Sequence, residues 1–443
     1  MKRILSRLPA EIGRIDRRAF VREVGSLFLR TAAAATITSS ACGCGEGPQP
    51  KPQKWRPDEG IPAEGYIRLA FNESPYGPPP AALATVDEML SRPYAMASQD
   101  THFLPGINRY PDFLNTDLTT AIAGLHGVST FNVIPCCGIS ELLYMCSEAF
   151  LGKGRNLIIT DGTFPLLQHY ASSRGADIIL IPPAEDHRVD LDGILDAVRS
   201  DTSLVYLANP DNPTGTVHSF SEIKSFVEAA VNKNSQVVVL LDEAYMDYVL
   251  LDPLPEAVSL VGQYPVIVGR TFSKAYGMAG LRGGYAVAHR DLVHVLNGDA
   301  SGFFGGDCGW RMFECDVNRL ATAAILGSLS PSGQNFVAQV RQQNAEMRQR
   351  LSAGLRSLGY TPLESHTNFL LVKVGIEGER TRTWLCNRKI LIQAAGSFHP
   401  RYGDWIRVSV GDQSEVDTLL AALRGFDPSS QSPPCFAVFY MGI

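Results

Sequence analysis

One lysine stands among small residues in Thr271-Phe-Ser-Lys-Ala-Tyr-Gly-Met-Ala-Gly-Leu-Arg-Gly-Gly-Tyr285. Lys274 follows a Val/Ile-rich run, and its small neighbours let another molecule approach the backbone. A partly desolvated lysine gives up its proton more readily, which a Schiff-base nucleophile requires. Thr271 and Ser273 offer hydroxyls and Arg282 a guanidinium, groups that hold a phosphate dianion. By itself a Ser-Lys pair beside glycines is an ordinary loop. Two further segments change its meaning. Asn209-Pro-Asp-Asn-Pro-Thr-Gly-Thr216 closes one apolar run, and Leu241-Asp-Glu-Ala-Tyr245 closes another. Open α/β sheets form their sites at the carboxyl ends of strands, so Asn212, Asp242, Tyr245 and Lys274 are expected to converge.

The chemistry of pyridoxal 5'-phosphate (PLP) uses that set. A carboxylate keeps the pyridine nitrogen protonated so that the ring accepts electrons, and an amide and a phenol bond the ring's 3-oxygen. A lysine carries the cofactor and later moves a proton.

The elements that must position these residues are legible as alternation. Short runs at Asn132-Val-Ile-Pro, Asn156 to Thr160, Asp177 to Ile181, Ser203 to Leu207, Gln236 to Leu241 and Val266-Ile-Val are rich in Val and Ile. Such runs read as strands buried on both faces. Helix-length segments at Ser140 to Phe150, Thr163 to Arg174 and Ser221 to Val231 separate them, which implies a mostly parallel sheet with crossover helices. Beyond Trp310 the pattern becomes one long polar-faced helix from about Ser332 to Leu358, then β-like stretches at Asn368 to Val374 and Trp405 to Val410. That is a second, smaller α+β unit.

Composition narrows the classes. Lys plus Arg number 39 against 45 Asp plus Glu, a net charge of −6, which opposes nucleic-acid binding because phosphates must be neutralised by cations. Nine cysteines without Cys-x-x-Cys or a Cys/His ladder make neither a disulfide scaffold nor a metal centre. The start differs from the rest. A basic stretch reaches Arg17-Arg18-Ala-Phe-Val, then an Ala/Thr-rich run, Thr31 to Ala41, precedes Cys42-Gly-Cys44. This layout resembles a twin-arginine export signal over residues 1–45, with Cys42 the candidate for lipid attachment and the sole route to a membrane. The expected location is periplasmic or exported, and cytoplasmic if the leader does not function. A flexible linker, 46–65, follows.

The ordered motifs resemble the class I/II, fold-type I PLP-dependent aminotransferases, in particular the histidinol-phosphate aminotransferase branch. Phe71-Asn-Glu-Ser-Pro-Tyr-Gly-Pro78, Asn108-Arg-Tyr-Pro111, Cys137-Gly-Ile-Ser-Glu141, Gly162-Thr-Phe164, Asn212-Pro-Thr-Gly, Asp242-Glu-Ala-Tyr and Ser273-Lys to Arg282 carry the likeness. The resemblance implies an N-terminal arm over 66–90, a large PLP-binding domain over 91–310, a small domain over 311–426 and a tail over 427–443. It implies Lys274 as the Schiff-base lysine, Asp242 at the pyridinium, Asn212 and Tyr245 at the ring oxygen and Phe164 stacked on the ring. Gly138, Ile139, Ser140, Ser273 and Arg282 would bind the phosphate, joined by Tyr110 of a neighbouring subunit in a homodimer with shared sites. Arg407 would clamp the substrate carboxylate, with Asn72 and Tyr76 also at the substrate.

Two departures bear on the substrate. Where that branch has an arginine that grips the substrate phosphate, Lys389-Ile-Leu-Ile-Gln393 ends in a neutral amide followed by Ala394 and Ala395. The insert Gly302-Phe-Phe-Gly-Gly-Asp-Cys-Gly-Trp310 adds aromatics where the two domains are expected to meet. The leading expectation is a transaminase acting on an amino acid and a 2-oxo acid. A decarboxylase, lyase or cyclase on the same scaffold is the alternative, and a non-catalytic binding protein the third class.

Overall fold

The computed structural model describes residues 65–91, 107, 116–254, 256–297, 317–375 and 377–427. The export-like leader, nearly all of the linker, the Asn108–Pro111 arm with Tyr110, the Gly302–Trp310 insert and the tail beyond Asp427 lie outside them.

The strands are β1 (Ile67–Arg68), β2 (Val133–Cys136), β3 (Asn156–Thr160), β4 (Asp177–Ile181), β5 (Thr202–Ala208), β6 (Val238–Asp242), β7 (Val266–Thr271), β8 (Gly284–Ala288), β9 (Thr361–Pro362), β10 (Phe369–Lys373), β11 (Ile390–Leu391), β12 (Gln393–Ala394) and β13 (Trp405–Ser409). A seven-stranded sheet has the order β2-β8-β7-β6-β5-β3-β4, and a four-stranded sheet the order β12-β13-β10-β9. Short β1 pairs in parallel with β11.

In the large sheet every strand runs one way except β8, which is antiparallel to both β2 and β7. The sequence reading did not single out β8. Its reversal has a local cause: the chain from Phe272 to Gly283 holds no crossover helix, and a parallel return needs one. The central strands supply two cores by strict alternation. Val205, Leu207, Val239, Leu241, Val266 and Val268 face one, while Leu204, Tyr206, Val238, Leu240 and Ile267 face the other. The expectation of burial on both faces fails at β4, where Asp177 and Leu180 are exposed. As the outermost strand it pairs only with β3, so less of it is covered.

Several helices begin where a side chain supplies a missing acceptor. Ser219 and Glu222 form a reciprocal capping box that opens Phe220–Lys233. Ser330 caps Pro331–Ser357, with proline at its first position, where no N–H is needed. The expected helix from Thr163 starts only at Leu166, because Thr163 is engaged with Asp211 instead. The small sheet packs its own core, in which Leu370, Val372, Ile406 and Val408 meet Leu351, Leu355 and Leu419. The fold is thus α/β: a large, mostly parallel sheet with helices, beside a smaller antiparallel α+β unit.

Candidate active site

Asp242 ends β6 at 5% exposure, where its carboxylate accepts from the Tyr206 hydroxyl at 2.7 Å and the Ala244 N–H at 3.0 Å. Burial pushes this carboxyl up to about 6, against the pull of those donors and of nearby Lys274. A desolvated carboxylate of this kind favours a cation beside it, which a protonated pyridine nitrogen would provide.

Lys274 lies just beyond β7. Its Nζ donates to the Phe71 carbonyl at 3.2 Å and sits 5.6 Å from the centre of the Tyr245 ring. The Tyr245 hydroxyl in turn accepts from Asn72 Nδ2 at 2.9 Å. Asn72 is itself fixed: its N–H donates to Ser409 Oγ at 2.8 Å, Ser409 donates back to Asn72 Oδ1, and its φ is 56°. A left-handed asparagine is uncommon and persists where surrounding bonds over-determine it.

The anion side of the site forms at the start of helix Ile139–Phe150. Gly138 precedes it at φ 74°, and a Cβ there would stand 2.8 Å from Arg282 Nη2. The guanidinium therefore lies against the helix N-terminus, whose free amides and dipole favour an anion. Arg282 Nη1 also contacts Ser273 Oγ at 3.4 Å, and Thr271 Oγ1 donates to the same hydroxyl at 3.0 Å. Arg282 holds a left-handed φ of 59°, a strained position for a side chain of its size. Ile139 packs against Gly269 of β7, and Ser140 stands half-buried in the first helical turn. Together these groups fit a phosphate monoester, as Asp242 fits a pyridinium and Lys274 an aldehyde.

Arg407 on β13 reaches across from the small sheet. Its Nη1 donates to Asn212 Oδ1 at 2.6 Å and its Nη2 to the Ala70 carbonyl at 2.7 Å. At 6% exposure it pairs with no acidic side chain among the described residues, and its Nε–H has no partner there. Burial lowers it to about 10, so it remains a cation at neutral pH. A buried guanidinium without a counter-ion is costly, and a substrate carboxylate would relieve it. Gln393 of β12 stands opposite Arg407 in the antiparallel register, itself 6% exposed.

Phe164 is half-buried against the core that includes Tyr206, and its neighbour Thr163 donates to Asp211 at 2.7 Å, which ties this loop to Asn212. Tyr76 packs against the core that holds Tyr245 and Tyr276, and burial first, then Asp412, Glu346 and Glu415, raise its phenol. Tyr110 lies outside the described residues.

Sequence reasoning missed Tyr206, Ser409 and the pair Glu243–Arg270. Tyr206 was the one hydroxyl inside the apolar stretch Leu204–Ala208, which could have flagged it. Arg270, 5% exposed, bonds Glu243 at 2.8 Å and Glu256 at 2.6 Å on the sheet face away from Asp242, bracing the ends of β6 and β7.

The profile of the family described as aminotransferase class I and II matches residues 64–423. A histidinol-phosphate aminotransferase of Anoxybacillus flavithermus is 32% identical, covering 85% of this chain and 92% of its own. Histidinol-phosphate aminotransferase 1 of Dechloromonas aromatica is 31% identical, over 82% of this chain and 91% of its own. Among solved structures, histidinol-phosphate aminotransferase from Sinorhizobium meliloti in complex with pyridoxal-5'-phosphate superposes at a TM-score of 0.68. It is 30% identical and covers 81% of this chain and 90% of its own. With the profile spanning most of the sequence and the relatives matched over nearly their whole lengths, this chain belongs to the aminotransferase class I and II family.

Proposed function

We propose that this chain is a PLP-dependent aminotransferase in which Lys274 carries the cofactor and moves the proton, and whose substrate is not a phosphate monoester. The observation that carries the reading is Arg407, a buried cation without a carboxylate partner among the described residues, hydrogen-bonded to Asn212 beside the Lys274–Asp242 pair. When bound, PLP supplies an aldehyde carbon that takes up amines and a ring that accepts electrons.

Each residue then has a task set by its own chemistry. Asp242, kept in place by Tyr206 and Ala244, holds positive charge at the pyridine nitrogen. Arg282, Ser273 and the amides after Gly138 bind the phosphate. Asn212 and Tyr245 would hydrogen-bond the ring oxygen, and Phe164 would supply an apolar ring surface for the cofactor. Arg407 fixes the substrate carboxylate, so that the amino group points to the cofactor and the α-proton comes within reach of Lys274 Nζ. Positioning of this kind supplies much of the rate in such reactions.

The relatives are named for histidinol phosphate. Gln393 beside Arg407 offers an amide where a phosphate monoester calls for a charged fork, which supports a different amino compound as substrate. Borohydride reduction of the PLP-loaded protein followed by peptide mass spectrometry tests the Lys274 assignment. A pyridoxyl adduct on Lys274 is expected, and an adduct on another lysine contradicts it.

Two further parts of the reading concern where and how the enzyme works. It acts outside the cytoplasm, supported by the leader pattern around Arg17-Arg18. It works as a homodimer, with Tyr110 completing the phosphate site of the partner. Replacing Arg17 and Arg18 by lysine should retain the protein in the cytosol; wild type found uncut in the cytosol contradicts export. Sedimentation of the loaded enzyme as a monomer contradicts the dimer.

A further inference from the structure

The segment from Ala395 to Tyr402 leaves β12 and returns into β13, so it hangs from the small sheet. Its side chains nevertheless reach residues of the large sheet's loops. His399 Nε2 lies 3.2 Å from the Asp161 carboxylate, and Arg401 Nη1 donates to the Pro183 carbonyl at 2.8 Å. The Tyr402 ring centre lies 5.7 Å from that of His187. Gly162, at φ 84°, approaches so closely that a Cβ there would come within 2.7 Å of His399 Cβ and 3.2 Å of the Phe398 carbonyl. Asp161 and Gly162 lead directly into Thr163 and Phe164, so the segment is seated on the same loop that carries Phe164.

These contacts decide where Phe398 stands. Its ring centre is 4.9 Å from Arg407 Cζ, with the Phe369 ring at 5.5 Å. Gln393 at the head of the segment faces Arg407 in register. A substrate held by its carboxylate on Arg407 and by its amino group at the cofactor has only its side chain left to place. Beside the clamp stand the half-buried Phe398 ring and the neutral amide of Gln393, with Phe369 buried behind them. Such a surface gains from burying apolar groups and offers no compensation to a desolvated charge.

We propose that Phe398 determines which substrate side chain is accepted, with Asp161 and His399 as the pair that positions it, and that it selects an amino acid with an uncharged aromatic or branched aliphatic side chain. The proposal rests on the aminotransferase reading of the site. Asp161 and His399 touch neither cofactor nor substrate and act through the placement of Phe398.

Initial rates of the PLP-loaded enzyme with L-phenylalanine, L-leucine and L-alanine as donors test it, in wild type, Phe398→Ala, Asp161→Ala and Asp161→Asn. Wild type should use L-phenylalanine and L-leucine in preference to L-alanine. Phe398→Ala should lower the ratio of kcat/KM for L-phenylalanine over L-alanine about tenfold, mainly through KM, because one buried ring contact is lost. Asp161→Ala should shift the ratio the same way by a smaller factor, and Asp161→Asn, which keeps an acceptor for His399, should restore most of it. An equal loss for every donor, no change in the ratio, or a wild type that prefers L-alanine overturns the proposal. A wild type that transaminates no donor contradicts the aminotransferase reading itself, and so is distinguished from failure of the Phe398 assignment.

Discussion

The Tyr206 hydroxyl on β5 donates to the Asp242 carboxylate on β6 at 2.7 Å, joining two neighbouring strands at the carboxyl-terminal edge of the large sheet. Burial holds the Tyr206 phenol well above its ordinary range, so it stays a donor throughout the working range of pH. The bond favours the ionised carboxylate over the neutral acid. Tyr206→Phe should therefore weaken PLP binding about tenfold or more, since a hydrogen bond to a charged group is worth about 1.5–3 kcal/mol. A titration of PLP into the cofactor-free protein, followed by absorbance, measures the change. Unaltered affinity would show that the hydroxyl contributes nothing to the charge on Asp242.

The elevated Asp242 carboxyl makes the stability of the cofactor-free protein depend on pH. Its ordinary value is 3.8 and its folded value about 6. Near or below pH 4 both folded and unfolded chains carry the proton, and above about pH 6 neither does. In between only the folded chain binds it, so stability from this group falls as pH rises from about 4 to 6 and stays low above that range. Asp242→Asn has no charge to hold. It should melt higher than wild type at pH 8 without PLP, and the gap should shrink at pH 4.5. Glu243, also raised by burial, to about 7, is present in both proteins and cancels from the comparison. A gap that is constant with pH would contradict the assignment to Asp242.

Much of the large sheet was legible because its information is local. Runs such as Leu204–Ala208 and Val238–Leu241 are almost wholly apolar, and each is followed at its carboxyl end by the polar residues of the site. The lysine, the carboxylate, the amide and the phenol stand at these strand ends, so their convergence followed from the rule that sites form there. Three things were not legible. The direction of β8 depends on the absence of a helix after Phe272, and the exposure of β4 depends on its place at the edge. The contacts Tyr206–Asp242, Asn72–Tyr245 and Phe398–Arg407 join residues whose spacing in the chain carries no pattern. Asn72 and Tyr245 are 173 residues apart, and only the folded backbone brings them together.

Gln393 gives a test of gain rather than loss. It faces Arg407, the proposed carboxylate clamp, across β12 and β13. Gln393→Arg places a charged fork there, and a charged hydrogen bond is about twice as strong as a neutral one. The kcat/KM for histidinol phosphate should rise at least about tenfold over wild type, while that for L-phenylalanine should fall. Steady-state rates with both donors read the outcome. A wild type already efficient with histidinol phosphate, or a variant that gains nothing, would remove Gln393 as the reason for the difference from the named relatives.

The central claim is amino-group transfer at Lys274, and isotope transfer tests it most directly. PLP-loaded protein is incubated with 15N-labelled L-phenylalanine and unlabelled 2-oxoglutarate, and the products are read by mass spectrometry. The account predicts 15N in newly formed glutamate together with an equivalent amount of phenylpyruvate, and loss of both by several orders of magnitude in Lys274→Ala, because that variant lacks the amine that holds the cofactor and moves the proton. Release of labelled ammonia or of carbon dioxide without labelled glutamate, or transfer that persists in Lys274→Ala, would contradict it.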